Sequence, residues 1–270
     1  MRRDSLLEGS RGDRWRTGRR AVLLALAILV ANVSGAGAAT HTPPWADVFG
    51  NHWPGPDALD TTGTASKAFA QLGLSGYGTF QTNNTDVFAA MGTSDAQSDA
   101  VWVNFGHGPT PGNGGYITWC NPAHGPQCTT ALYANSSLGP CSGADAVCLK
   151  TGYATSIHKI KLMVFAGCNT GNNGPNLADA QQSNLVKTAF SYNGVDSAIG
   201  FTSDVGFSAT TSDAWADKFF AKLRAGSTVA VAALSASLTV ASLNGGNANG
   251  WDNYFINGGG VTIVPPAYGS

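Results

Sequence analysis

The sequence predicts an α/β fold, a three-layer sandwich with a mostly parallel central sheet. Three observations carry that expectation. Apolar, β-rich runs recur at residues 100–105 (AVWVNF), 160–165 (IKLMVF) and 196–201 (DSAIGF). They lack the polar alternation of a half-exposed strand, as strands buried on both faces do. Segments of helical period separate such runs, the pattern of βα units. Once the front end is set aside, about 230 residues remain with no linker or internal repeat, enough for one sizeable core.

Each element can be taken in turn. Residues 45–50 (WADVFG) predict a first strand, closed by the turn Trp53-Pro54-Gly55-Pro56. Residues 60–72 place Ala65, Ala68, Phe69 and Leu72 on one helical face and stop at Gly73. Residues 77–81 read as a strand, and Thr85-Asp86 opens a short helix with Val87, Phe88 and Met91 inward. The 100–105 strand ends in Gly106-His107-Gly108, and a Cys-rich insert follows at about 111–150, starting with a hairpin strand at 116–119. The 160–165 strand ends in Ala166-Gly167-Cys168-Asn169. Beyond it, a turn at 173–175 leads to a helix over 176–190 carrying Leu177, Ala180, Leu185, Ala189 and Phe190. The 196–201 strand precedes a helix over 212–223, with Trp215, Phe219 and Leu223 on one face and Ala225-Gly226 at its end. Ser227 is expected to cap a last helix over 228–243. Residues 251–265 leave room for two short strands around Gly258-Gly259-Gly260.

Residues 1–38 read differently. Seven arginines precede an apolar run at 21–30, and a small-residue stretch (SGAGAA) offers Ala36-Gly37-Ala38 as a cleavage site. That is the make-up of a secretory signal peptide, and about ten apolar residues are too few to span a bilayer. The pair Arg19-Arg20 is a weak match to a twin-arginine signal. Export, as a secreted or extracytoplasmic domain over 39–270, is the expectation. Without the leader, eight basic residues face 13 acidic ones, so the domain is acidic. Nucleic acid is disfavoured as a partner.

Export frames the five cysteines. Cys120, Cys128, Cys141 and Cys148 lie in the Gly/Pro/Asn/Ser-rich insert, which has no long apolar run. Oxidised cross-links help most in such a segment, and four cysteines allow three connectivities. A zinc knuckle is the rival, but the intervals of 7, 12 and 6 residues contain no Cys-x-x-Cys. Cys168 is then the odd thiol. It ends one buried strand as His107 ends another, and carboxyl ends of such strands are where open α/β sheets collect reactive groups. A thiol and an imidazole so placed are the parts of a nucleophilic pair, the imidazolium favouring the thiolate. The bland readings are inert packing for Cys168 and a structural role for His107. His41, His52, His124 and His158 are expected to be surface or structural residues.

The motifs VNFGHG and MVFAGCNTG, with the later order of elements through NLVKTAFSYNGVDSAIGFTSDVG and AWADKFFAKLRAGSTVAVAALSASL, resemble the caspase-fold cysteine peptidases of clan CD. The likeness is nearest to the gingipain, clostripain, separase and CHAT-like branches and covers roughly 57–264. It implies a caspase-like sheet and a His107/Cys168 dyad acting on a peptide or protein substrate without a cofactor. It further implies that the Gly108 and Cys168 N–H groups hold the oxyanion. Asp204, in the loop after the 196–201 strand, is placed to bind a basic P1 side chain as an acidic pocket does in clostripain-like enzymes. A turn or helix cap near Ser212 is its alternative role. Three features depart from the clan: 61 residues separate His107 from Cys168, no charged residue precedes the Ala-Cys position, and Gly167 stands where many members have Ala. The expected function is an exported cysteine endopeptidase. Its alternative is a catalytically inactive adhesion or binding module of the same fold.

Overall fold

The structure is a computed structural model. It describes residues 45–53, 58–82, 99–111, 115–119, 130–135, 141, 146–152, 157, 160–172 and 184–263. The leader, the 85–91 helix, and His41, Cys120, His124, Cys128 and His158 fall outside these residues.

In chain order the strands are β1 (Trp45–Phe49), β2 (His52–Trp53), β3 (Leu59–Asp60), β4 (Gly78–Thr82), β5 (Val101–Phe105), β6 (Tyr116–Trp119), β7 (Thr130–Tyr133), β8 (Ala146–Cys148), β9 (Leu162–Ala166), β10 (Ala198–Phe201) and β11 (Tyr254–Asn257). The helices are α1 (Thr62–Leu74), α2 (Leu149–Gly152), α3 (Leu185–Ser191), α4 (Ala214–Arg224) and α5 (Val229–Leu243). Six strands form the central sheet in the order β11-β10-β9-β5-β1-β4. All its pairings are parallel except β10 with β11. The chain runs outward from β1 to β4, then returns to the other side of β1 at β5. That reversal is the switch point beside which doubly wound sheets place their ligands.

Because side chains alternate across a strand, each strand feeds two cores. Val101, Val103, Phe105, Leu162, Val164, Ile199 and Phe201 pack against α1, α4 and α5 through residues such as Leu72, Trp215, Phe219 and Val240. Trp102, Met163, Phe165 and Ala198 face the other way, toward α3 and the small sheet β6-β7-β8. The result is three layers with the sheet in the middle.

Four local expectations need correction. The described part of the insert shares a core with the sheet: Ile117, Trp119, Leu132, Val147 and Leu149 are fully or nearly fully buried in the second core. Its first described strand is the expected one at 116–119, while β7 and β8, four and three residues long, have no long apolar run to mark them. The predicted 176–190 helix is interrupted at Asn184, which is extended (φ −140°, ψ 131°) and whose side chain accepts Lys187 N–H as the cap of α3; 176–183 lie outside the described residues. Thr228, one residue past Ser227, caps α5 by accepting from Val231 N–H. Where two short strands were expected over 251–265, the described residues of that segment form one, β11. Gly258 turns the chain away at φ +72°, where an added Cβ would lie 2.0 Å from Asp196 O. Among the described residues, no helix is long and apolar enough to cross a membrane.

Candidate functional site

Strand register brings the two predicted reactive residues together. Phe105 is paired with Ala166 across β5 and β9, so His107 and Cys168 each stand two residues beyond the same rung. The strand ends before them are fixed by buried polar groups. Asn51 Nδ2 donates to Phe105 O at 2.8 Å and to Asn104 Oδ1 at 3.1 Å, and Thr61 Oγ1 donates to Phe105 O at 2.8 Å. On the β9 side, the Thr170 hydroxyl lies 2.7 Å from Phe165 O and 2.9 Å from Gly167 O, and it accepts Phe201 N–H at 3.1 Å. Thr170 thereby ties the Cys168 loop to β10.

The two loops meet backbone against backbone. A Cβ on Gly108 would lie 1.8 Å from Cys168 O and 2.9 Å from Cys168 N. A Cβ on Gly167 would lie 2.5 Å from Gly106 O and 3.0 Å from Gly108 N. Steric need therefore explains both glycines: only Cα hydrogens fit between the loops. The His107 carbonyl accepts Thr118 N–H at 2.9 Å, which joins the loop to β6. Its ring meets Trp53 edge-on, with centroids 4.8 Å apart. Among the described residues, neither Gly108 N–H nor Cys168 N–H donates to a carbonyl of the protein.

Cys168 is half-buried and is the one free thiol among the described residues. Its sulfur accepts Val205 N–H at 3.4 Å. Burial pushes the thiol pKa up; the Val205 N–H opposes the rise and the nearby Asp204 carboxylate adds to it. These surroundings favour the neutral thiol and oppose the thiolate that an imidazolium would favour.

Asp204 sits beside this sulfur through a residue that sequence reasoning passed over. Asn169, buried and in the left-handed region at φ 55°, donates one amide hydrogen to Asp204 Oδ1 at 2.8 Å and the other to Pro109 O at 3.0 Å. Its backbone N–H donates to Ser203 O at 3.1 Å, and its Oδ1 accepts from Asn172 Nδ2 at 2.8 Å. One asparagine therefore joins the loops after β5, β9 and β10. Asparagine tolerates that backbone conformation better than most residues, the one signal by which it was legible. Asp204 is exposed and its carboxylate bonds to Asn169, not to a helix start. The turn before α4, Ala209–Asp213, is a π-helical turn held by Thr211 Oγ1 to Gly206 O (2.6 Å) and Ser208 N–H to Ser212 Oγ (3.1 Å).

Of the other predicted positions, Cys141 and Cys148 form a disulfide within the insert, tying residue 141 to β8. His52 is exposed and lies 3.4 Å from Asp60, away from Cys168.

No protein-family profile and no curated protein matches this chain. Among solved structures, it is similar to the Arg-specific cysteine proteinase gingipain R, with a TM-score of 0.53 at 10% identity. The match covers 82% of this chain and 46% of that one, so this chain spans about half of that structure's length. The likeness is one of fold: the mixed α/β arrangement with a mostly parallel sheet is gingipain-like.

Proposed function

We propose that the protein is an exported cysteine endopeptidase in which Cys168 is the nucleophile and His107 the general acid–base. The observation that carries this reading is the meeting of the two loops at one rung of the sheet, where, among the described residues, neither Gly108 N–H nor Cys168 N–H donates to a backbone carbonyl. Two such donors suit the oxyanion of a tetrahedral intermediate, and each contributes roughly 3 kcal/mol to its stabilisation. In the acylation step the thiol proton passes to His107 as sulfur attacks the scissile carbonyl. His107 then returns the proton to the leaving amine, and water hydrolyses the thioester. Asp204, exposed beside the nucleophile, suits a basic P1 side chain, and the similar gingipain is described as Arg-specific. The basic leader with its Ala-x-Ala site supports secretion.

Mass spectrometry of products from a peptide library tests the activity. Cys168→Ala and His107→Ala are each expected to abolish hydrolysis with little change in thermal unfolding. The double variant should be no worse than either single one, because a dyad acts as a unit. Residual activity above about a tenth of wild type would remove that residue from the mechanism. The raised thiol pKa favours a second reading, a binding module that retains the fold without catalysis. Absence of any product from the library, with the thiol alkylated no faster than a buried cysteine, would establish that one.

A further inference from the structure

The site described above is tighter than a dyad with a remote specificity pocket. Cys168 and Asn169 are consecutive, as are Asp204 and Val205. Two bonds cross between these pairs: Val205 N–H to Cys168 Sγ at 3.4 Å, and Asn169 Nδ2 to Asp204 Oδ1 at 2.8 Å. The anion and the nucleophile are thus clamped side by side in the loops that follow the neighbouring strands β10 and β9. The loop is held from beneath: Gly206 N–H donates to Asn249 O at 3.2 Å, and a Cβ on Gly250 would lie 1.9 Å from Asp204 O. Asp204 is exposed, so a ligand can reach its carboxylate, while Cys168 is half-buried and feels a nearby charge with less screening.

We infer that Asp204 and Cys168 are electrostatically linked, so that a cation seated on Asp204 favours ionisation of Cys168 and a basic P1 side chain arms the nucleophile that will attack it. This rests on the reading of Cys168 as the nucleophile. The physical argument is short. A carboxylate next to a sulfur opposes a second negative charge; burial is the main cause of the raised thiol pKa, and Asp204 adds to it. A guanidinium paired with that carboxylate cancels the opposing field and adds its own favourable one. The proton released from sulfur goes to His107, the titratable group of the facing β5 loop. The turn at 249–251 packed beneath brings no charge of its own. Selection for Arg or Lys would then act on the chemical step as well as on binding.

The test needs no turnover. The rate at which iodoacetamide alkylates Cys168 in the full chain is followed from pH 5 to 10, with the labelled peptide identified by mass spectrometry. Asp204→Asn should move the midpoint of the wild-type profile to lower pH and raise the rate at pH 7 about threefold. N-acetylarginine amide should do the same to wild type, N-acetylnorleucine amide should not, and neither should move the profile of Asp204→Asn. High salt should shrink the effect, since the carboxylate is exposed. Coincident midpoints for wild type and Asp204→Asn would overturn the linkage. So would an arginine amide effect that persists in the variant, or one that slows alkylation equally at every pH, as mere coverage of the thiol does. If Asp204→Asn fails to fold, the comparison of the two amides on wild type still decides. A linked profile in a chain that cleaves no peptide would cost the peptidase reading alone; an unlinked profile in an active peptidase would cost only the linkage.

Discussion

Asp204 carries the most specific expectation at the scale of single residues. Its carboxylate accepts from Asn169 and stands exposed beside Cys168, so its second oxygen is open to a basic P1 side chain. Asp204→Asn removes the charge and keeps the shape. The ratio of kcat/KM for Arg over Ala at P1 should fall by roughly two orders of magnitude, because a charge-assisted bond is lost for one substrate and not for the other. The melting temperature should hardly move, since no helix start depends on this side chain. An unchanged ratio would return the substrate class to the open. At this scale the sequence was informative about His107, Gly108 and Cys168, whose dipeptides and strand-end positions are visible in one dimension. Thr170 was not legible, and Asn169 was so only through asparagine's tolerance of a left-handed backbone. Their roles come from hydrogen bonds to three other segments, and a single Asn or Thr after a cysteine has no periodicity to betray it.

At the scale of elements, the strands were legible where burial on both faces made them uniformly apolar: β5 and β10 fall within the predicted runs, and β9 passes the end of its run by one residue, Ala166. The errors fell at helix starts, where one capping bond decides. Asn184 illustrates this. Its Oδ1 caps α3 by accepting Lys187 N–H at 3.1 Å, and its Nδ2 donates to Gly171 O. The residue thus joins a helix to the far side of the Cys168 loop. Asn184→Ala should lower stability by about 1 kcal/mol through the lost cap alone. If the bond to Gly171 also matters to the loop, kcat should fall in Asn184→Asp as it does in Asn184→Ala, since an aspartate restores the cap but cannot donate to a carbonyl. Denaturant unfolding and steady-state kinetics on the two variants separate these contributions. The insert was misjudged for a different reason. Strands of three or four residues do not produce a readable run, yet Trp119 and Leu132 are completely buried against Phe49, Trp102 and the rest of the second core.

For the molecule as a whole, the two cores on opposite faces of the sheet bear unequally on the site, and two tryptophans allow this to be measured. Trp251, completely buried, contacts Phe201 on β10, Trp215 on α4 and Phe207 in the loop after β10, with ring centroids 4.7, 5.1 and 5.6 Å apart. Its Nε1–H donates to Gly206 O at 2.8 Å, and its carbonyl accepts from Ser237 of α5. It therefore couples the first core to the loop that carries Asp204 and Val205. Trp102 is equally buried but lies in the second core, against Phe49, Trp119 and Phe165. Replacing either by Phe shrinks a packed ring and leaves a gap, which should cost on the order of 1–3 kcal/mol, or some 2–10 °C in melting temperature for a domain of this size. Stability alone would not distinguish them. Only Trp251→Phe also removes the bond to Gly206 O, so it alone should loosen the loop, lowering kcat/KM for an Arg peptide at least tenfold at temperatures well below unfolding. Trp102→Phe should leave that value within about twofold of wild type, as expected of a packing change with no shared partner at the site. Equal losses of activity in the two variants would mean that the site depends on the sheet as a unit and that the Trp251–Gly206 bond has no special part in holding the loop.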